Sequence, residues 1–287
     1  MYHLNHLIIP PTEIHSLKVN LTTGCRNKNC TFCPVDEKSD FTVCSSNQVI
    51  EQIDAAIEKN GTYRNAFLLY EDAISLPDGY IIEALDYLKK VNPFLTRISI
   101  MAETSLILEK GTKRLNLLKT HGLTRVYQNI ISGSNEILSD MNMTSTNEDQ
   151  LMAAYFIKEA GLELAQTIAL GTAAKDDLQM NAFITAKHLS NMSPDYINAV
   201  DVTHKVRTGL NSELKSDHDA VPDILDEMIT IIENLELKKT VFTSSAENND
   251  LCLYIRFPEQ KFYMLALLED LKKNTAHTAH PYASNFM

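Results

Sequence analysis

The sequence predicts an α/β fold: a partial (β/α)6 TIM-type barrel with a C-terminal α/β extension. Three observations predict it. Short apolar runs alternate with helical patterns from Leu17 to Val202, as parallel sheets with crossover helices require. The run Ala66–Tyr70 is short and apolar, fit for a buried parallel strand. Most polar residues of chemical interest follow directly after the runs, where a parallel barrel builds its sites.

The first strand is expected at Leu17–Leu21, "LKVNL". The spacing of Val49, Ile50, Ile53 and Ile57 predicts a helix over Asn47–Lys59. "AFLLY", Ala66–Tyr70, reads as the second strand. Pro77 opens a helix ending near Val91, and Asn92–Pro93 stops it. "RISIMA", Arg97–Ala102, is the third strand, and the helix after it closes at Gly122. Thr124–Ile131 is the fourth strand, followed by a helix over Asn147–Ala160. "LELAQTIALG" supplies the fifth strand, Asp176–Asn191 the next helix, and Pro194–Val202 the sixth strand. Beyond it come a helix at Val221–Leu235, the short runs "TVFTS" and "LYIRF", and a helix at Pro258–Lys272.

With 287 residues, 44% hydrophobic and 22% charged, the chain can bury one large domain or two small ones. The expected organisation is an N-terminal arm at 1–16, the barrel at 17–205, an extension at 206–273 packing on it, and a flexible tail at 274–287. No apolar run reaches the length of a membrane span. The start, "MYHLNHLIIPPTEIHS", has no basic leader and no small-residue cleavage site, so a cytoplasmic location is expected. A net charge of −11 argues against a nucleic-acid backbone or an anionic membrane as main partner.

Three of the five cysteines lie in "LTTGCRNKNCTFCPV", Leu21–Val35. Cys25, Cys30 and Cys33 follow the first strand, and clustered thiols in a reducing compartment point to a metal or redox site. Soft thiolates suit zinc or an iron–sulfur cluster. Zinc takes a fourth ligand, for which Cys44, Cys252 or a histidine would serve, but there is no second Cys-x-x-Cys. An iron–sulfur cluster on three cysteines leaves one iron open to a small molecule. Cys44 and Cys252 otherwise read as plain buried thiols, and His277 with His280 as part of a loose tail. His204, Lys205 and Arg207 follow the sixth strand, as contacts for an acidic substrate group or as surface charge.

The cysteine constellation, with Phe32 before its third thiol, resembles the radical S-adenosylmethionine (SAM) enzymes. The Cys-x4-Cys-x2-Cys spacing in the context "TTGC…N.CTFC" is similar to a branch of uncharacterised proteins resembling coproporphyrinogen oxidase-like radical SAM proteins. "LLYEDAISLP" matches that branch's second-strand Gly-Asp-Ala, with Glu71 in place of Gly. "IISGS", Ile130–Ser134, matches its Leu-Glu-Ser-Gly-Ser, with Ile131 in place of the carboxylate. "ALGTAAKDD" keeps Gly171 of the fifth-strand motif but not the later glycines, and Glu233–Asp250 resembles the branch's C-terminal region.

The resemblance implies a [4Fe–4S] cluster on Cys25, Cys30 and Cys33 and SAM on its open iron. It implies a 5′-deoxyadenosyl radical, a small-molecule substrate and an electron donor such as flavodoxin or ferredoxin. Phe32 is expected by the adenine, Glu71 and Asp72 at the ammonium, and Ser99 and Glu103 at the ribose. Gln128, Ser132 and Gly171 are expected at the same rim. The chain starts just before the first strand, so no cobalamin-binding domain is expected ahead of it. The bland readings are a solvated loop at Glu71–Asp72 and a helix cap at Ser132–Gly133–Ser134. Two alternatives stand beside the enzyme: a relative that binds a cluster without radical chemistry, and a non-enzymatic iron–sulfur or zinc protein.

Overall fold

The computed structural model describes residues 9–27, 40–201, 221–244 and 253–275. The strands are β1 (Leu17–Asn20), β2 (Thr22–Thr23), β3 (Thr42–Val43), β4 (Asn65–Leu69), β5 (Arg97–Ala102), β6 (Arg125–Ile131), β7 (Glu163–Leu170), β8 (Tyr196–Asp201), β9 (Thr240–Ser244) and β10 (Tyr254–Phe257). The helices are α1 (Ser46–Asn60), α2 (Asp78–Val91), α3 (Thr104–Thr120), α4 (Asn135–Asp140), α5 (Asn147–Glu159), α6 (Leu178–Met192), α7 (Val221–Asn234) and α8 (Lys261–Thr275). Eight strands form one sheet in the order β1-β4-β5-β6-β7-β8-β9-β10. The order is open-ended and the sheet is mostly parallel, so the α/β class expected from the sequence holds. The chain divides into two compact units, 1–130 with 142–166 and 131–141 with 167–287. The boundary expected at 205/206 lies outside the described residues.

In the first unit β1, β4, β5 and β6 pair in parallel. Helix α1 starts on a capping box: the Ser45 hydroxyl accepts from the Gln48 amide, and the Gln48 side chain accepts from the Ser45 amide. Thr146 and Asp149 do the same for α5. Helix α3 is broken at Gly111, where φ is 69°.

Alternation assigns the two faces of this sheet. Gln128 donates to Thr104 and to the Gln150 carbonyl, both on helices, and accepts from Gln166. Even-numbered positions of β6 therefore face the helix layer, and Arg125, Tyr127 and Asn129 face the other way. On that inner face Phe67 and Tyr127 meet edge to face at 5.4 Å. At the N-terminal ends of the strands sits Glu13, buried in a 3-10 turn over Pro11–Glu13. It accepts from Ser16, Ser99 and Tyr127 and pairs with Arg97 at 3.0 Å. Arg125, 3.5 Å from Glu13, also pairs with Glu163. This network satisfies a charge that burial would otherwise penalise. It also fills the N-terminal end of the inner face, which leaves the C-terminal strand ends for chemistry.

In the second unit "TVFTS" is β9, parallel to β8, and "LYIRF" contributes β10, antiparallel to β9. These two runs of the expected extension thus continue the sheet itself. Helix α7 presents Ile224, Leu225, Met228, Ile231 and Ile232 to the core, and burying side chains of this size stabilises by about 1.5–3 kcal/mol each.

Candidate active site

The cysteine loop leaves β2 through Gly24, whose φ of 71° is open to glycine and costly for other residues. Cys25 follows, half-buried, with its thiol directed at the Asn27 carbonyl 3.7 Å away. Asp72 fixes the next peptide: its Oδ2 accepts from the Arg26 amide at 3.1 Å, and its Oδ1 lies 3.6 Å from Arg26 Nε. The Arg26 guanidinium stacks on Phe41 at 4.3 Å. Burial first, and then the charges of Asp72 and Glu71, push the Cys25 thiol up to about 12, against a lowering contribution from the Asn27 backbone. Cys30, Cys33 and Phe32 lie outside the described residues.

Glu71 stands at the end of β4, after Tyr70, whose φ of 68° turns the chain sharply. The Asn129 amide donates to Glu71 Oε1 at 2.5 Å. Burial lifts the Glu71 carboxyl to about 7, the Asn129 bond lowers it, and the charges of Glu103 and Asp72 raise it further. Glu103 closes β5 and caps α3, accepting from the Ser105 and Leu106 amides. Its Oε1 accepts from Thr144 at 3.1 Å. Glu71, Asp72 and Glu103 are therefore three carboxylates in electrostatic reach of one another at the ends of neighbouring strands.

Ser99 and Gln128 do not join them. Ser99 is the third residue of β5 and gives its hydroxyl to Glu13, at the opposite end of the strand. Gln128 points into the helix layer, because the register of β6 puts its neighbour Asn129 on the inner face instead. Asn129 was not singled out from the sequence; strict alternation along β6, once anchored on one residue, is the signal that finds it. Asn20 was also missed, although asparagine at a strand end is an unusual strand former.

In the second unit the turns after β6 and β7 carry Ser132 and Gly171. Ile131 ends β6 with a φ of 63°, a conformation rare for a β-branched residue, and its side chain is buried. Ser132 donates to Asn181 of α6 at 2.6 Å and accepts from the Ser134 amide. The Gly171 amide, at a φ of 78°, donates to Glu227 Oε2 of α7 at 2.7 Å. Burial pushes Glu227 up to about 8, the Gly171 amide draws it back, and the charge of Asp201 adds to the rise. Glu227 was not singled out from the sequence.

The donor set fits a cluster with a cationic ligand. A Cys25 thiolate beside two carboxylates is costly as a free anion and is stabilised by a soft cation. In the first unit the buried atoms Asn20 Oδ1, Thr22 Oγ1 and Asn129 Oδ1 have no hydrogen-bond partner. All three lie at or near the C-terminal strand ends, and buried polar atoms of this kind are normally satisfied. They suit a ligand with amine and hydroxyl donors.

Among solved structures, methylornithine synthase is similar at a TM-score of 0.57 and 12% identity, covering 91% of this chain and 84% of its own. Coproporphyrinogen III oxidase from Escherichia coli, described as a radical SAM enzyme, is similar at a TM-score of 0.56 and 16% identity, over 76% of this chain and 51% of its own. HydG, a maturase of the [FeFe]-hydrogenase, matches at 0.54 and 15% identity over 81% and 52%. The chain spans about half the length of these last two and 36% of the methyltransferase TsrM. No curated sequence matches the chain. These likenesses show the fold; the family rests on the sequence. The radical SAM superfamily model matches residues 19–179, more than half of the chain, from β1 to the start of α6, and the protein belongs to that superfamily, whose members use a [4Fe–4S] cluster and SAM.

Proposed function

We propose that the protein is a radical SAM enzyme acting on a small substrate, with Cys25, Cys30 and Cys33 holding the cluster. When bound, the cluster and SAM would supply reductive radical chemistry toward the substrate. The chain's own residues bind and orient. Asp72 holds the Arg26 peptide and so sets the exit of the cysteine loop. Glu71, oriented by Asn129, offers a carboxylate to the SAM ammonium, and a cation there draws off the proton that burial favours. Glu103 keeps the end of β5 in place as a helix cap and adds negative potential for a sulfonium. Phe32 is assigned to the adenine. Electrons come from a donor such as flavodoxin or ferredoxin. Among the described residues no helix is long and apolar enough to cross a membrane.

The observation that carries this reading is the Asp72 bond to the residue after Cys25, beside a Glu71–Asn129 pair with an unused acceptor. Anaerobic reconstitution tests it. About four irons per chain and release of 5′-deoxyadenosine from SAM under reduction are expected. Stoichiometric zinc with no reconstitutable cluster overturns it, and a Cys30→Ala variant with full iron content refutes the ligand assignment. Ile131 favours a second reading, a relative that keeps the cluster but not the chemistry. Its buried apolar side chain stands on the strained strand end where the branch has a carboxylate. A full cluster without SAM cleavage is the outcome that selects it.

A further inference from the structure

We propose that Lys110 is a positioning residue for the carboxylates of the first unit. Its ammonium braces the turn after β4 to the helix after β5, and so holds Glu71 and Asp72 in register with Glu103. This rests on the reading of those carboxylates as SAM contacts.

Three observations carry it. First, Lys110 of α3 is 4% exposed, and lysine is rarely buried unless it is paired. Its Nζ donates to the Leu76 carbonyl at 2.8 Å and to Asp78 Oδ1 at 2.8 Å. Leu76 closes the 3-10 turn over Glu71–Ser75, so a buried charge is spent on the backbone of the segment that carries Glu71 and Asp72. Second, the bonds inside that turn set its shape. The Ala73 amide donates to the Tyr70 carbonyl, the Leu76 amide to the Ala73 carbonyl, and the Ser75 hydroxyl to the Asp72 carbonyl. The Lys110 bond does something else: it places the shaped turn against a second element. Third, α3 is built so that Lys110 ends a short helical segment of its own. Gly111, with φ 69° and ψ 161°, breaks the helix there, and a Cβ at Gly111 would meet no atom within 4 Å. The glycine is thus needed for its backbone angles, not for space. The segment 104–110 has Glu103 as its cap at one end, accepting from the Ser105 and Leu106 amides, and Lys110 at the other. About two turns of helix therefore couple the position of Leu76 to that of Glu103.

Arg114 separates this brace from general packing of α2 on α3. Its Nε donates to Asp78 Oδ2 at 2.7 Å, from a side chain that is 47% exposed. Lys110→Met removes the ammonium at similar length and leaves Asp78 its Arg114 partner, so the change orphans no charge. If the unbraced turn holds its present place about a tenth of the time, the apparent dissociation constant for SAM rises about tenfold.

The test uses the anaerobically reconstituted protein. Deuterium exchange of backbone amides reads the two segments without SAM, and equilibrium dialysis reads SAM binding at matched iron content. In Lys110→Met, exchange over 71–77 and 104–110 is expected to rise together by about tenfold while α1 is unchanged. SAM affinity is expected to fall about tenfold, and Arg114→Met to stay within about twofold of wild type in both measurements. Exchange that rises in one segment alone or in neither overturns the proposal. So does wild-type SAM affinity in Lys110→Met, or an equal loss in Arg114→Met. Should Lys110→Met not fold, Gly111→Ala decides: it strains the break without a steric clash and is expected to raise exchange in the same two segments by about threefold. No coupled rise there overturns the brace. A coupled rise in Lys110→Met, with a wild type that binds no SAM, leaves the brace standing and overturns the cofactor assignment instead.

Discussion

Replacing Glu71 by Gln isolates the electrostatic character of the first unit's site. Burial holds the Glu71 carboxyl at about 7 against an ordinary 4.5, and the nearby charges of Glu103 and Asp72 add to it. At about 1.36 kcal/mol per pH unit, the ionised form is penalised by about 3 kcal/mol in the folded chain. The sign follows from proton counting. Below 4.5 both folded and unfolded chains carry the proton and nothing is lost. Between 4.5 and 7 the unfolded chain has released it and the folded chain has not, so stability falls as pH rises; above 7 the full penalty is present. Glu71→Gln retains an acceptor for Asn129 but has no proton to lose. Its stability relative to wild type should therefore rise by about 2.5 kcal/mol between pH 5 and pH 8. Guanidinium unfolding of the reconstituted protein without SAM, at several pH values, measures this. A difference that stays constant across the window refutes the reasoning. Saturating SAM should then stabilise the wild type more than the variant at pH 8, because a bound cation offsets the charge that the variant never had.

Other variants report on the supports of the site. Asp72→Ala should remove the acceptor of the Arg26 amide and speed cluster loss by about tenfold, in line with the 1–3 kcal/mol of a buried bond, read as iron retained per chain over time. Glu13→Ala leaves Arg97 and Arg125 without their buried partner and should destabilise by about 3 kcal/mol in denaturant unfolding. Gly133→Ala would place a Cβ 2.9 Å from the Thr185 backbone of α6, so α6 must shift. A loss of about 1–3 kcal/mol in denaturant unfolding is expected, because Ser132 also loses its register on Asn181.

The order of strands and helices was legible because each run of "LKVNL" or "RISIMA" type is bounded by a cap, a glycine or a proline. The cysteine motif was legible because thiols at that spacing have few uses. What was not legible is which way each strand residue points. In β6 every residue is buried, so hydrophobicity carries no period that distinguishes Gln128 from Asn129. Both are amides of similar size on adjacent positions, and only the bonds of Gln128 to α3 and α5 separate them. Ser99 illustrates a different failure. Its partner Glu13 is far away in sequence, and nothing local in "RISIMA" announces that its hydroxyl serves the closed end of the sheet.

The same physics explains why the site's negative charge is tolerable. Three carboxylates and a thiol gather at the strand ends of the first unit, where the described residues supply the half-exposed Arg26 as partner to Asp72. An ensemble of like charges in a partly buried place destabilises the free protein, and the upward displacement of Glu71 and Cys25 records that tension. By contrast, the buried Glu13 at the other end is matched by two arginines and three hydroxyls. Among the described residues of the first unit, one set of strand ends is electrostatically closed and the other carries excess negative charge open to a cation. A sulfonium with an ammonium, on a cluster that neutralises the thiolates, is the ligand chemistry that removes the imbalance. Binding should therefore stabilise the chain by more at pH 8 than at pH 6, the reverse of a site whose carboxylates already have partners.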